Sequence, residues 1–138
     1  HSKKIEDVNG LASVMPKFSF LFTIFVFGSI ALPGTSGFVG EFLVLLGLYQ
    51  SHKLIAIIAC LGVVLGAIYM LWMVKRTIMG QVINNKINSL VDINLVQISV
   101  LAVLAFLSIL LGVYPVLVID VINSSSEQMV ELYNVYQK

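Results

Sequence analysis

The sequence predicts an all-α polytopic membrane fragment with three transmembrane helices, the first of them discontinuous at residues 32–37. Three observations predict it. Of the 138 residues, 59% are apolar and only 11% are charged, whereas an ordinary soluble domain carries roughly a quarter charged residues. Two long runs, residues 54–74 and 98–119, contain no charge at all. A third apolar stretch, residues 18–51, is interrupted by helix breakers and holds a single charged side chain, Glu41.

Composition also excludes several classes of function. The formal charge is +1, so the clustered Lys and Arg of a nucleic-acid surface are absent and no nucleic-acid partner is expected. Cys60 stands alone inside an apolar run, which leaves no disulfide framework, CxxC metal site or iron–sulfur ligand set and suggests small-residue packing. His1 and His52 fall in loop or border positions and build no metal site. The chain begins with His1 and polar residues rather than a signal peptide, and reads as the C-terminal fragment of something longer.

Taken in order, residues 1–16 form a loop in which Ile5, Val8, Leu11, Ala12 and Met15 recur at helical spacing, a short interfacial helix leading into Pro16. Residues 17–51 form the broken transmembrane helix. As one straight helix, residues 18–51 would run about 50 Å against a hydrocarbon core of about 30 Å, too long to cross once and too short to cross twice. Residues 54–76 form the second span, with Ala59 and the Gly62-x-x-x-Gly66 pair making a small-residue stripe that predicts a tight packing face. A loop covers residues 77–95. The third span covers residues 96–119, with Pro115 near its far end, where a kink or a stop costs least. Residues 120–138 predict an amphipathic tail helix, from the Ser124 and Glu127 capping pattern and the Met129, Leu132, Tyr133, Tyr136 stripe; a membrane surface and a neighbouring subunit suit it equally. Three spans put Lys3, Lys4, Lys17, Lys75, Arg76 and Lys86 on one side and Lys53 and Lys138 on the other, so the first side is cytoplasmic, or the matrix of a mitochondrion, and the tail faces outward. Lys17, Lys75 and Arg76 read as snorkelling border residues, and Tyr69 and Trp72 as interfacial aromatics.

The stretch LPGTSGFVGEF, residues 32–42, carries the candidate chemistry. Leu32, Pro33, Gly34, Thr35, Ser36, Gly37 and Gly40 make the helix break. Pro33 lacks an N–H and clashes with the preceding turn, and the glycines relax the backbone around it. Freed backbone groups survive at membrane depth only where protein buries them or water reaches them, and half-helix ends build ion sites in transporters. Ser29, Thr35 and Ser36 can supply partners. Glu41, placed where it cannot reach the surface, marks a partner, a cavity or an ion path. Burial disfavours the charged form of a carboxyl while a cation or water favours it, so a carboxyl between those influences can load and release a proton. The bland alternative is a permanently protonated Glu41 bonded to a neighbouring helix beside a purely structural kink. LPGTS lacks the final Gly of the wall-anchoring LPxTG signal, and the glycines lack the G-K-[ST] ending of a phosphate loop.

The run SIALPGTSGFVGEFLVLLG, residues 29–47, preceded by DVNGLASVMP, residues 7–16, closely resembles the C-terminal part of the M-subunit family of proton-pumping NADH:quinone oxidoreductase, respiratory complex I, whose mitochondrial counterpart is subunit 4. The resemblance covers the whole chain, tightest from Asp7 to Gly47 and looser after Gly80. It implies an antiporter-like fold, with Glu41 matching the glutamate that ends a proton channel on the discontinuous twelfth of fourteen transmembrane helices. It further implies an enzyme complex whose NADH, flavin, iron–sulfur clusters and quinone are bound by other subunits, with no redox centre in this chain. The implied partners are the other membrane subunits, the earlier helices of the same subunit and the lipid of a bacterial or mitochondrial inner membrane. The family's buried Glu–Lys pair and central Lys lie on those earlier helices, so this chain alone is not expected to pump. Related subunits of multisubunit cation/proton antiporters generally carry Lys at the position of Glu41, which makes them the alternative; a packing and assembly segment is the third. The family often has two glycines where this chain reads Asn9 and Gly10.

Overall fold

The computed structural model describes residues 9–82, 89–117, 119–120 and 122–123. They form five helices, α1 (Leu11–Val14), α2 (Pro16–Ser29), α3 (Ser36–Ser51), α4 (Lys53–Thr77) and α5 (Leu95–Val113), and no strand occurs among the described residues. The fold is therefore all-α. α4, with 25 residues, and α5, with 19, are long and apolar enough to cross a membrane, while α2 is a shorter apolar helix.

α2 and α3 run one after the other along α4, in the opposite direction. Thr23 and Phe27 share a cleft with Leu71, Val74 and Lys75, Ser29 and Ile30 share another with Gly66 and Ala67, and Val44 and Leu45 of α3 face Ala59 and Val63. One extended residue, His52, joins α3 to α4, so the two make a tight helical hairpin. α5 runs beside α2 in the same direction: Asp92 reaches the start of α2, and Ser108 and Gly112 lie against the α2–α3 connection.

Each helix end has a local cause. Pro16 occupies the first position of α2, where its missing N–H costs nothing. The backbone N–H groups of Lys17 and Phe18 donate to the Asp92 carboxylate at 3.0 and 3.2 Å; a residue from elsewhere in the chain thus caps this helix. α5 opens on a capping box in which Asn94 accepts from the Gln97 N–H and the Gln97 side chain accepts from the Asn94 N–H. Arg76 lies 4.6 Å over the Trp72 ring and Lys53 5.8 Å from the Tyr49 ring centre, pairs of cation and aromatic at either end of α4.

A small core gathers Leu11, Val26, Val74 and Ile78, packed round by Phe18, Phe22 and Met73. The Ala12 N–H donates to the Ile78 carbonyl at 3.1 Å. Gly10 holds a φ of 77°, and a Cβ there would lie 2.9 Å from the Val82 nitrogen. Of the Asn9 and Gly10 pair, then, Gly10 is the position where the backbone requires glycine.

Several expectations are revised. The interruption covers residues 30–35, because α2 ends at Ser29 and Ser36 already opens α3. α5 begins at Leu95, its capping box drawing polar Gln97 into the first turn, and it stops at Val113, before Tyr114 and Pro115; helical residues resume at 116. A Cβ on Gly62 or Gly66 would meet nothing within 4 Å, so that stripe is not a contact face between these helices. Cys60 is exposed rather than packed. In the first loop the helix covers Leu11–Val14; Ile5 and Val8, Lys86, and the tail residues Ser124, Glu127, Met129, Leu132, Tyr133 and Tyr136 lie outside the described residues.

Candidate functional site at the helix break

α2 does not fray at its end. The Leu32 N–H bonds to the Phe27 carbonyl at 3.0 Å and the Ala31 N–H to the Gly28 carbonyl at 3.3 Å, the paired 6→1 and 5→2 bonds of a Schellman motif. The residue that such a motif turns left-handed is usually glycine, but here it is Ala31, at φ 52°. Pro33 follows two residues later, where its ring cannot continue the helix. Gly34 takes a second positive φ, 94°. Thr35, 6% exposed, is extended and stands just before α3, and its hydroxyl donates to the Leu32 carbonyl at 2.8 Å.

The break is compact because other backbones close upon it. A Cβ on Gly37 would collide with the Gly28 carbonyl oxygen, and one on Gly112 of α5 with the backbone of Gly34 and Thr35. One turn before Gly112, the Ser108 hydroxyl lies 3.2 Å from the Ser36 hydroxyl. Ala105, 4% exposed, continues the same face of α5. The connection is thereby packed against protein on one side.

On the other side lies Glu41. It borders a cleft of about 470 Å³ with Ser36, Gly37, Gly40 and Val44 of α3 and Ala59 and Val63 of α4. An adjoining cleft of about 360 Å³ is lined by Ser29, Ile30, Glu41, Gly62, Gly66 and Ala67. The open glycines of α4 thus make room beside Glu41 rather than a helix contact. Among the described residues lining these clefts, Glu41 is the one titratable group. Its Oε2 atom is buried and has no hydrogen-bond partner among the described residues, and an unpaired buried oxygen carries a desolvation cost that water or a cation would relieve. The space suffices for several waters.

The residues singled out from sequence therefore divide. Ser36, Gly37, Gly40 and Glu41 meet at the cleft; Gly34 and Thr35 turn to α5; Leu32 and Pro33 are exposed and line neither cleft. Sequence reasoning missed Gly28, Ala31, Ser108, Gly112 and Asp92. Ser108 and Gly112 did carry a signal, small residues four apart in an apolar helix. Among the described residues no group of three or more His, Cys, Asp or Glu is placed to hold a metal ion.

Comparison with known proteins bears on this arrangement directly. Residues 1–68, which include the break and Glu41, match the family model described as NADH:quinone oxidoreductase/Mrp antiporter, TM. Over 134 residues, 97% of this chain and 26% of the relative, the sequence is 38% identical to NADH-quinone oxidoreductase subunit M of Rhodobacter capsulatus. The chain belongs to the NADH:quinone oxidoreductase/Mrp antiporter family. Other members similar to it are subunit M of Rickettsia bellii, 40% identical over 129 residues, and NADH-ubiquinone oxidoreductase chain 4 of Arabidopsis thaliana, 36% identical over 130 residues. Each of these alignments covers 94% of this chain and 26% of the relative, so the chain spans about a quarter of the length of the family members it matches. Family membership and the apolar helices α4 and α5 make it part of an antiporter-like membrane subunit.

Proposed function

We propose that this chain is the C-terminal part of the M subunit of a proton-pumping NADH:quinone oxidoreductase, in a bacterial or mitochondrial inner membrane, and that Glu41 is the terminal proton-transfer carboxylate of its channel. α2, the break and α3 together make one discontinuous span beside the spans α4 and α5. The end holding Lys17, Lys75 and Arg76 faces the cytoplasm or matrix, and the turn at His52 faces outward. The observation that carries the reading is the buried Glu41 Oε2, without a partner among the described residues, at a cleft beside an interrupted helix.

In this reading the helix break is what hydrates the carboxyl. A continuous α2–α3 would seal the backbone, whereas the break and the glycines of α4 leave space for water. Glu41 accepts a proton through water reaching the cleft from one side and passes it on through water toward the rest of the subunit. NADH oxidation, with its flavin, iron–sulfur clusters and quinone, belongs to other subunits of the complex; other membrane subunits and the preceding helices of the same subunit are the partners.

The test is NADH-driven proton translocation in vesicles carrying the complete complex, wild type against Glu41→Gln, with assembly followed on native gels. Assembly is expected to be unchanged and translocation to fall several-fold. Unchanged translocation in the assembled variant would make Glu41 and the break architectural. The family description also names Mrp antiporters; exchange without redox would instead appear as sodium-dependent growth that Glu41→Gln abolishes.

A further inference from the structure

Hydroxyls in apolar helices ordinarily bond to a carbonyl one turn back. Thr23, Ser29 and Thr77 do this, donating to the Ser19, Phe25 and Met73 carbonyls at 2.8, 3.0 and 2.9 Å. Ser36 and Ser108 do not. Their hydroxyls meet each other at 3.2 Å, 72 residues apart in sequence and half-buried.

The surroundings give that meeting a direction. Ser36 is the first residue of α3 and borders the cleft of Glu41, five residues further on. Ser108 lies on the face of α5 that carries buried Ala105 and Gly112, and a Cβ on Gly28 would sit 3.5 Å from its hydroxyl. Gly112 fixes the backbone just before α3 through Gly34 and Thr35. α5 therefore grips the start of α3 at two points, one steric and one polar. Either hydroxyl can donate in this pair, so it holds geometry without assigning charge.

We propose that Ser108 is a positioning residue for Glu41: its hydrogen bond to Ser36 sets where α3 begins, and hence how the Glu41 carboxyl is presented to the cleft. The proposal rests on the reading of Glu41 as a proton carrier. Ser108 itself lines neither cleft of Glu41 and touches no transferred proton; its effect passes through Ser36, which does line the cleft, and the first turn and a half of α3.

The experiment compares Ser108→Ala, Ser36→Ala, the double variant, Ser108→Thr and Glu41→Gln in the complete complex with the full-length subunit. Translocation per assembled complex is measured across pH, together with amide exchange in the first turn of α3. Each single alanine variant is expected to lose about 2- to 10-fold, the effect of one lost hydrogen bond. The double variant should be no worse than either single one, because both remove the same bond, and Ser108→Thr should recover most of the activity. The pH profile should move in Ser108→Ala, since Glu41 is the titratable group among the described cleft residues. Losses that multiply in the double variant, or a Ser108→Ala variant that lowers only the amount assembled and keeps the wild-type rate and pH profile, would overturn the proposal. If Glu41→Gln translocates like wild type, the reading of Glu41 fails on its own. Amide exchange then judges the Ser36–Ser108 bond separately, with faster exchange in Ser108→Ala expected and unchanged exchange fatal to it.

Discussion

Ala31 occupies a conformation that nearly every other residue type but glycine finds costly, φ 52° in the turn that ends α2. The left-handed region costs an L-residue with a Cβ roughly 1–2 kcal/mol, so Ala31→Gly is expected to stabilise the subunit by about 1 kcal/mol, read as a raised unfolding midpoint of the assembled complex. A glycine is at stake in two different ways nearby. Gly34, at φ 94° with open space where a Cβ would go, resists substitution through its backbone alone, while Gly112 resists it through contact with the Gly34 and Thr35 backbone. Gly112→Ala should therefore cost about 1–3 kcal/mol as overpacking does and loosen α5 from the break. Within these helices Gly66→Ala should cost far less, because its Cβ meets nothing within 4 Å. The same midpoint measurement, made on both variants, separates them.

At the scale of elements, the start of α2 depends on Asp92, a residue from the loop before α5. Partial burial pushes the Asp92 carboxyl upward, but the N–H groups of Lys17, Ile93 and Phe18 and the Lys17 charge outweigh it, and it titrates below its usual 3.8. A carboxyl depressed in the folded state stabilises it fully above the unfolded value, and that contribution disappears as pH falls through the lower folded value. Asp92→Asn is thus expected to speed amide exchange at Lys17 and Phe18 above about pH 5, with the difference from wild type closing at strongly acidic pH. How much of this was legible in the sequence follows from the kind of interaction involved. LPGTSGFVGEF announced a break, since Pro and Gly act locally, but its start at Ile30 was hidden, because the closing turn uses Ala31 where glycine would have signalled it. Two stripes of small residues were present, at Gly62/Gly66 and at Ser108/Gly112. Residue spacing alone does not say which one meets a helix of this chain and which one borders a cleft. The trans cap by Asp92 was invisible for the same reason, lying 74 and 75 residues from its donors.

For the molecule as a whole, the informative feature is how much apolar surface these helices leave uncovered. Phe20, Leu54, Leu65, Leu95 and Phe106 are each more than 60% exposed, a surface that water does not tolerate and that lipid and neighbouring helices would cover. The proposed orientation makes this testable by labelling. In a Cys60→Ser background, Met79→Cys should react with an impermeant maleimide only from the cytoplasmic or matrix face and Ser51→Cys only from the outer face; both reacting from one face would remove α4, which lies between them, as a crossing. A last consequence concerns voltage. Glu41 lies beside Ala59, Gly62 and Val63, about a third of the way along α4 from the turn at His52. Since a unit charge crossing the whole membrane is worth about 2.3 kcal/mol per 100 mV, a proton reaching Glu41 from the outer face traverses about a third of that, about 0.8 kcal/mol per 100 mV. In the proposed orientation its occupancy of the carboxyl would then change about fourfold for each 100 mV. If Glu41 carries protons in the proposed orientation, the depth of the broken helix would make the carboxyl a gauge of the membrane potential, loaded more or less readily as the membrane is energised.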